Sequence, residues 1–132
     1  MPNCCGTSEG GGEHSAASSY YLPSDLGRFG EIGRSNQELG SAFFDYYEKV
    51  MADGSLSARE KSLIGLAVAH ALKCPYCIDS LSGTCLGQGL GEAEMMEAVQ
   101  VAGALAAGVT LVHSTQMLGH VDAFRQKDET DS

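Results

Sequence analysis

Basic residues are scarce in this sequence and form no cluster. Eight Lys and Arg stand against seventeen Asp and Glu, which gives a formal net charge of -9 at pH 7. Proteins that bind nucleic acid or an anionic membrane surface do so through clustered positive charge. The composition therefore predicts a partner of neither kind.

Long apolar runs are missing as well. The longest, Leu63 to Leu72, is interrupted by Gly65 and His70 and is much shorter than the roughly 20 residues that cross a bilayer as a helix. The first residues of the chain do not show the charged-then-apolar pattern of a secretory signal. We therefore expect a cytoplasmic protein in a reducing compartment, without a membrane partner.

Strand patterns are also absent, because the apolar residues recur at the three- and four-residue steps of helices. Five helices are predicted, at about 36–51, 58–73, 75–86, 91–107 and 109–124, with Gly108 separating the last two. Ser57 and Glu60 have the spacing of a capping box, which explains Glu60 by capping rather than by catalysis. The sequence thus predicts an all-α protein.

The length of 132 residues suits one domain. Residues 1–19 are predicted to be a flexible N-terminal tail, 20–124 the helical domain, and 125–132 a frayed C-terminal tail. The second helix is apolar nearly all round, so we expect it to be central and buried on most faces. Since its short neighbours would not cover it, we also expect the domain to form an oligomer.

Five cysteines make an odd count, which points to thiol chemistry rather than to a disulfide scaffold. The main candidates are Cys74 and Cys77. Pro75 fits the first position of a helix, so Cys74 should be the N-cap of the third helix. The unpaired amides at a helix start favour a thiolate and lower a thiol pKa from about 8.5. Two cysteines at this spacing can also close a disulfide, which predicts a redox cycle.

Zinc binding, a glutaredoxin-like fold and a structural role are the alternatives for this cysteine pair. Zinc is disfavoured because no second pair lies downstream, and no metal or other cofactor is predicted. A glutaredoxin-like fold is excluded because its CPYC motif follows a strand, whereas a helix precedes the motif here. Two buried structural thiols stay an alternative, although such thiols rarely lie beside Pro at a helix start.

Two histidines are candidates for proton transfer. His70, four residues before Cys74, could exchange the thiol proton, or could simply be favoured by the negative end of its helix. His113 is interpreted as a packed or surface residue. The sequence therefore names His70 as the histidine to examine.

The remaining cysteines are weaker candidates. Cys85 lies about 12 Å along a helix from Cys77, too far for a disulfide, and is expected to be a small buried residue. Cys4 and Cys5 could bind thiophilic ions or resolve a mixed disulfide, but an incidental exposed pair is the favoured interpretation.

The stretch from Leu56 to His70, followed by CPYCI at 74–78, resembles the carboxymuconolactone decarboxylase and alkylhydroperoxidase D-like family. More narrowly, residues 20–117, with CIDS at 77–80 and LVH at 111–113, resemble the arsenosugar biosynthesis-associated peroxidase-like proteins. The resemblance implies an all-α fold that assembles as trimers or hexamers. It also implies a peroxide or disulfide substrate, reduced by Cys74 and Cys77 in a cycle that a thiol reductant resets.

The peroxidases of this family carry a proton relay, made of a Glu twelve positions before the first cysteine and a His four positions after the second. This sequence has Ser62 and Leu81 there. Glu60 lies roughly 200 degrees around the helix from Ser62 and does not substitute for the missing Glu. In those peroxidases the second cysteine attacks, which implies Cys77, whereas the N-cap argument favours Cys74. Both assignments stay open.

The predicted function is a thiol-dependent peroxidase or disulfide oxidoreductase with Cys74, Cys77 and His70 as its catalytic residues. The alternative is binding of a thiophilic metalloid such as trivalent arsenic by soft thiolates, without turnover. Lactone decarboxylation, which the family's name implies, ranks last because members of that branch generally lack the cysteine pair.

Overall fold

The structure, a computed structural model, describes residues 19–132. A 3-10 helix, Pro23–Gly33, comes first. Five α-helices follow, namely α1 (Gln37–Met51), α2 (Ala58–Ala71), α3 (Pro75–Gly87), α4 (Glu92–Val112) and α5 (Ser114–Thr130). The described residues contain no strand, so the predicted all-α class is confirmed. The predicted N-terminal tail, apart from Ser19, lies outside them.

Side chains cap the first two α-helices. The hydroxyl of Ser57 accepts the amide N–H of Glu60 at 3.1 Å, and a carboxylate oxygen of Glu60 accepts the amide N–H of Ser57 at 2.7 Å. This is the predicted capping box, which is therefore confirmed. Asn36 caps α1, since its side-chain oxygen accepts the amide N–H of Leu39 at 3.2 Å.

The turn from α2 into α3 consists of three residues, 72–74. Lys73 has a left-handed backbone, with a φ of 55°. Its N–H donates to the carbonyl of His70 at 3.1 Å, and the N–H of Cys74 donates to the carbonyl of Ala69 at 3.0 Å. These bonds form a Schellman motif, which usually contains Gly at the left-handed position. Cys74 thus ends this motif and is the N-cap of α3, as predicted.

The core lies where α2 packs against α3 on one side and α4 on the other, so α2 is the central helix. The buried apolar residues of the core are Leu66, Ala69, Leu81, Cys85 and Leu90. Gly65 allows a close approach, because a Cβ at this position would lie 3.2 Å from a methyl carbon of Leu81. The position of α3 on α2, and with it the position of the cysteine pair, depends on this contact.

The predicted boundary between the last two helices is wrong. α4 continues through Gly108 to Val112, and the break falls at His113. A glycine inside a helix costs only about 1 kcal/mol, which is too little to end a helix of this length. At the break, the hydroxyls of Ser114 and Thr115 donate to carbonyls three residues earlier and so compete with the helical backbone bonds.

The predicted end of the last helix near Phe124 is also wrong. α5 continues to Thr130, through residues that were expected to be frayed. The segment from Arg125 to Thr130 lacks apolar periodicity, but Arg, Gln, Lys and Glu are good helix formers. Helix propensity therefore extends α5 where no apolar stripe marks it.

Much of the apolar surface has no partner within residues 19–132. Contrary to the prediction, α2 is not buried on most faces, because Ile64 and Val68 are about half exposed. α4 and α5 contain no buried residue, and Leu105 and Phe124 are each 67% exposed. By length and composition alone, Glu92–Thr130 could also cross a bilayer, a test that core helices of soluble proteins pass too.

Candidate active site

The first turn of α3 brings Cys74 and Cys77 together. The amide N–H of Cys77 donates to the sulfur of Cys74 at 3.3 Å, and the two Sγ atoms lie 2.7 Å apart. Both residues are free cysteines, with Cys77 exposed and Cys74 partly buried. One of the unpaired amides that every helix start carries is thus directed at a thiol sulfur.

Hydrogen bonding separates the acidities of the two thiols. The pKa of Cys74 is lowered, chiefly because the side chain of Cys77 donates to its sulfur and further because the backbone of Cys77 and Tyr76 does so. The pKa of Cys77 is raised to about 11, first by the hydrogen bond to Cys74 and then by burial and the negative charge of Cys74. Cys74 is therefore the thiol that ionises first, and Cys77 keeps its proton.

The two cysteines open onto a cavity of about 490 Å³, here called the thiol cleft. Its lining residues come from three elements: Tyr76, Cys77, Ser80 and Leu81 of α3 with its N-cap Cys74, Phe43 and Tyr47 of α1, and Asp25, Leu26, Arg28, Phe29 and Ile32 of the 3-10 helix. A volume in this range is typical of small-molecule sites. Because most of the lining is apolar or aromatic, the cleft suits a small substrate with an apolar body.

Ser62 and Leu81 occupy the two positions that hold the proton relay in the family's peroxidases, and neither side chain is a proton relay group here. Ser62 is almost fully buried, and its hydroxyl donates to the carbonyl of Ala58 at 2.9 Å, within its own helix. Leu81 is buried against Gly65 and contributes an apolar surface to the thiol cleft. The titratable group that contacts the sulfur of Cys74 is the thiol of Cys77.

His70 does not line the thiol cleft. It lines a second cavity of about 280 Å³ together with residues such as Leu86 and Met95. Its Nδ1 lies 2.8 Å from the carbonyl of Leu66, and since a carbonyl only accepts, Nδ1 is the donor and Nε2 the acceptor of the neutral ring. The catalytic role predicted for His70 stays a prediction. The sequence left open whether His113 is packed or on the surface, and the structure exposes it at the junction of α4 and α5.

The other cysteines do not join the pair. Cys85 is fully buried in the core, and burial raises the pKa of its thiol. It is the small buried residue that the sequence led us to expect. Cys4 and Cys5 lie outside the described residues. Within residues 19–132 no group of three His, Cys, Asp or Glu side chains is arranged to hold a metal ion.

Sequence reasoning missed two polar residues at the cleft, Asp25 and Tyr76. The hydroxyl of Tyr76 donates to a carboxylate oxygen of Asp25 at 2.9 Å. The pKa of Tyr76 is raised, first by this hydrogen bond and then by burial. The two residues are 51 positions apart in the chain, and no local pattern indicates such a contact. Only the position of Tyr76 inside the CPYC motif could have drawn attention to it.

An all-α domain with a free dithiol at a helix start is the class of protein that these features define. Residues 37–128 match the carboxymuconolactone decarboxylase family, and the chain belongs to this family. The matched range runs from the start of α1 into α5 and includes both cysteines of the thiol cleft. The matched range begins after the 3-10 helix. The side of the cleft that this helix forms therefore lies before the region shared by the family.

The chain is also similar to two known proteins. The chain is 34% identical over 101 residues to a protein of Paracoccus denitrificans described as uncharacterized protein 4 in cox locus, covering 76% of this chain and 91% of that protein. It is also similar to a crystal structure of a protein from Methanobacterium thermoautotrophicum, with 29% sequence identity and a TM-score of 0.63. That comparison covers 65% of this chain and 97% of the other.

Proposed function

We propose that this protein is a thiol-dependent peroxidase or disulfide oxidoreductase in which Cys74 attacks the substrate and Cys77 resolves the product. The single observation that carries the proposal is the double contact of Cys77 with the sulfur of Cys74, through its amide N–H at 3.3 Å and its own sulfur at 2.7 Å, beside an open cleft. A thiolate held in this way is the nucleophilic form of cysteine.

With a hydroperoxide, the Cys74 thiolate attacks the terminal oxygen and the O–O bond breaks. Cys74 becomes a sulfenic acid, and the leaving alkoxide takes the proton of the Cys77 thiol to form an alcohol. The new Cys77 thiolate then attacks the sulfenic sulfur, which forms the disulfide and releases hydroxide. The dithiol is oxidised by two electrons and the peroxide is reduced by two.

With a disulfide substrate, the same two residues act in the same order. The Cys74 thiolate attacks one sulfur to form a mixed disulfide, and the released thiolate takes the proton of Cys77. Cys77 then displaces the second half of the substrate and closes the intramolecular disulfide. In both cycles an external thiol reductant restores the dithiol.

Thiol-dependent peroxide consumption tests this proposal. The reduced protein is mixed with cumene hydroperoxide and dithiothreitol, and the Cys74–Cys77 disulfide is followed by mass spectrometry. We expect Cys74→Ser and Cys77→Ser each to abolish turnover, while Cys85→Ala, the matched control outside the cleft, retains it. A sulfenic-acid probe should label Cys74 in the Cys77→Ser variant. Full activity of Cys77→Ser would overturn the mechanism.

We also propose that the exposed apolar surface of α4 and α5 binds further copies of this chain, as a trimer or hexamer. Exposed apolar side chains recur from Val101 to Phe124, and α4 and α5 contain no buried residue in the single chain. Polar residues such as His113, Gln116 and His120 interrupt it near the middle, where a bilayer would make them costly. A second protein surface can accept their hydrogen bonds, which favours self-association.

Arsenite binding stays the alternative, and so does the narrower likeness to arsenosugar-associated proteins. The favouring observation is the pair of sulfurs 2.7 Å apart, which could supply two soft ligands. A third thiol would have to come from Cys4, Cys5 or another subunit, because Cys85 is buried in the core. If arsenite blocks labelling of the pair and no peroxide is consumed, binding replaces catalysis as the function.

A further inference from the structure

The 3-10 helix Pro23–Gly33 forms one wall of the thiol cleft, and few contacts hold it there. It contains no buried residue, and of its three large apolar side chains at the cleft, Leu26 is partly buried while Phe29 and Ile32 are 44% and 52% exposed. Runs of 3-10 helix longer than three or four residues are uncommon because their hydrogen-bond geometry is poor. The position of this wall therefore depends on specific contacts rather than on a packed core.

Three contacts hold the 3-10 helix. Near its start, the hydroxyl of Tyr76 donates to Asp25 at 2.9 Å. In its middle, Phe29 packs edge-on against Phe43 and Phe44 of α1, with ring centroids 5.7 and 5.1 Å apart. At its end, the backbone lies so close to α1 that only glycine fits at position 40. The hydrogen bond from Tyr76 is the one of these three contacts that joins the wall to the helix that carries Cys77.

We infer that Tyr76 and Asp25 are positioning residues, and that the wall they hold determines which substrates reach the Cys74–Cys77 pair. With the wall in place, a substrate meets the dithiol through an apolar cleft of limited width. A compact or apolar molecule is accepted, whereas a bulky polar one is hindered. That a substrate enters the cleft rests on the proposed function. Access to the two sulfurs is a property of the fold and can be measured without turnover.

The hydroxyl of Tyr76 can be removed without disturbing the thiols. It is the backbone of Tyr76, not its side chain, that helps to lower the pKa of Cys74. Tyr76→Phe also keeps the ring that packs edge-on against Tyr21 at 5.6 Å. Asp25 offers a matched pair of variants, because Asp25→Asn keeps an oxygen that accepts the phenol hydrogen and Asp25→Ala does not.

The test compares the alkylation rates of the reduced full-length protein with iodoacetamide, which is small, and with fluorescein maleimide, which is bulky and anionic. Peptide mass spectrometry distinguishes labelling of Cys74 and Cys77 from labelling of Cys4 and Cys5. We expect Tyr76→Phe and Asp25→Ala to raise the bulky-to-small rate ratio about three- to tenfold, as the loss of one hydrogen bond allows. Asp25→Asn should keep a ratio close to that of the wild type.

An unchanged ratio in Tyr76→Phe would overturn the inference, and so would an equal rise in Asp25→Asn and Asp25→Ala. If circular dichroism shows that Tyr76→Phe does not fold, Gly40→Ala takes its place. That variant displaces the wall from its other end, and it must raise the same ratio if the wall controls access.

Peroxide kinetics separate this inference from the proposed function. The ratio of kcat/KM for cumene hydroperoxide, which is apolar, to that for hydrogen peroxide should fall in Tyr76→Phe, because the apolar wall is displaced. In Asp25→Asn the ratio should stay close to that of the wild type. If the wild type consumes neither peroxide while the labelling ratios change as expected, the proposed function fails and the wall still controls access. If turnover is robust and the labelling ratios do not change, the inference fails alone.

Discussion

Cys77 contacts the sulfur of Cys74 twice, through its backbone amide N–H, which donates at 3.3 Å, and through its own sulfur, which lies 2.7 Å away. One residue thus provides the stabilising amide and, in the proposed cycle, also the proton for the leaving group. The positive end of α3 adds to the stabilisation of the thiolate. Of the two thiols, Cys74 is therefore the one that ionises first, and Cys77 keeps its proton to higher pH.

The first prediction concerns the pH dependence of alkylation at Cys74. Because the thiolate is the reacting form, the rate should rise with pH through the lowered pKa of Cys74. Cys77→Ala removes the thiol donor and should move the midpoint to higher pH, whereas Cys77→Ser keeps a hydroxyl donor and should stay closer to the wild type. Iodoacetamide kinetics with peptide mapping measure this. Coincident midpoints for the Ala and Ser variants would show that the Cys77 thiol does not act as a donor.

The second prediction concerns the left-handed residue that joins α2 to α3. Lys73 has a φ of 55°, a conformation that costs an L-residue about 1 kcal/mol and costs glycine little. Lys73→Gly should therefore stabilise the fold by about 0.5–1 kcal/mol in urea denaturation at fixed protein concentration. Lys73→Ala, which loses the charge but keeps the strain, is the control. Equal stabilities of the Gly and Ala variants would contradict the prediction.

The third prediction concerns the attachment of the 3-10 helix to α1. A Cβ at Gly40 would lie 2.5 Å from the Cα of Gly33, so Gly40→Ala must push the two backbones apart. Since the 3-10 helix buries no residue, we expect it to be displaced while α2, α3 and α4 stay folded. Hydrogen exchange of the amides in residues 23–33 should become faster. Gly30→Ala, where the added Cβ meets open space, should leave that exchange unchanged.

The fourth prediction concerns self-association through α4. Leu105 is 67% exposed in the single chain, so Leu105→Glu should be harmless to a monomer. In an oligomer it would bury an unpaired charge, which costs several kcal/mol. Sedimentation at micromolar concentration should show a trimer or hexamer for the wild type and smaller species for Leu105→Glu.

The matched control for self-association is Gln100→Glu, which places the same charge on a polar position of α4. It should leave the oligomer intact. A monomeric wild type would contradict the prediction, and so would binding of the wild type to neutral phospholipid vesicles.

Local signals in the sequence predicted most of the helical framework. The starts of α1, α2 and α3 are set by Asn36, by the Ser57–Glu60 capping box and by Cys74 before Pro75. Each of these signals acts within one helical turn, so it can be recognised without knowledge of the fold. The ends of α4 and α5 were predicted wrongly, because a glycine inside a helix costs little and helix propensity acts without an apolar stripe.

The contacts around the cysteine pair could be predicted only in part. The N-cap position of Cys74 follows from Pro75 and the spacing, whereas the contact between Asp25 and Tyr76 joins segments 51 residues apart. His70 is close to Cys74 in sequence but lines a different cavity, because the left-handed turn at Lys73 redirects the chain between the two helices.

The sequence by itself determined the all-α class, the capped starts of the helices and the dithiol at the start of α3, because these depend on interactions between near neighbours in the chain. The tertiary structure alone decided that the 3-10 helix closes one side of the thiol cleft, that His70 lies outside it, and that α4 and α5 keep an exposed apolar surface. Those features depend on which distant segments pack together, and that is decided by the burial of surface over the whole domain rather than by any local pattern.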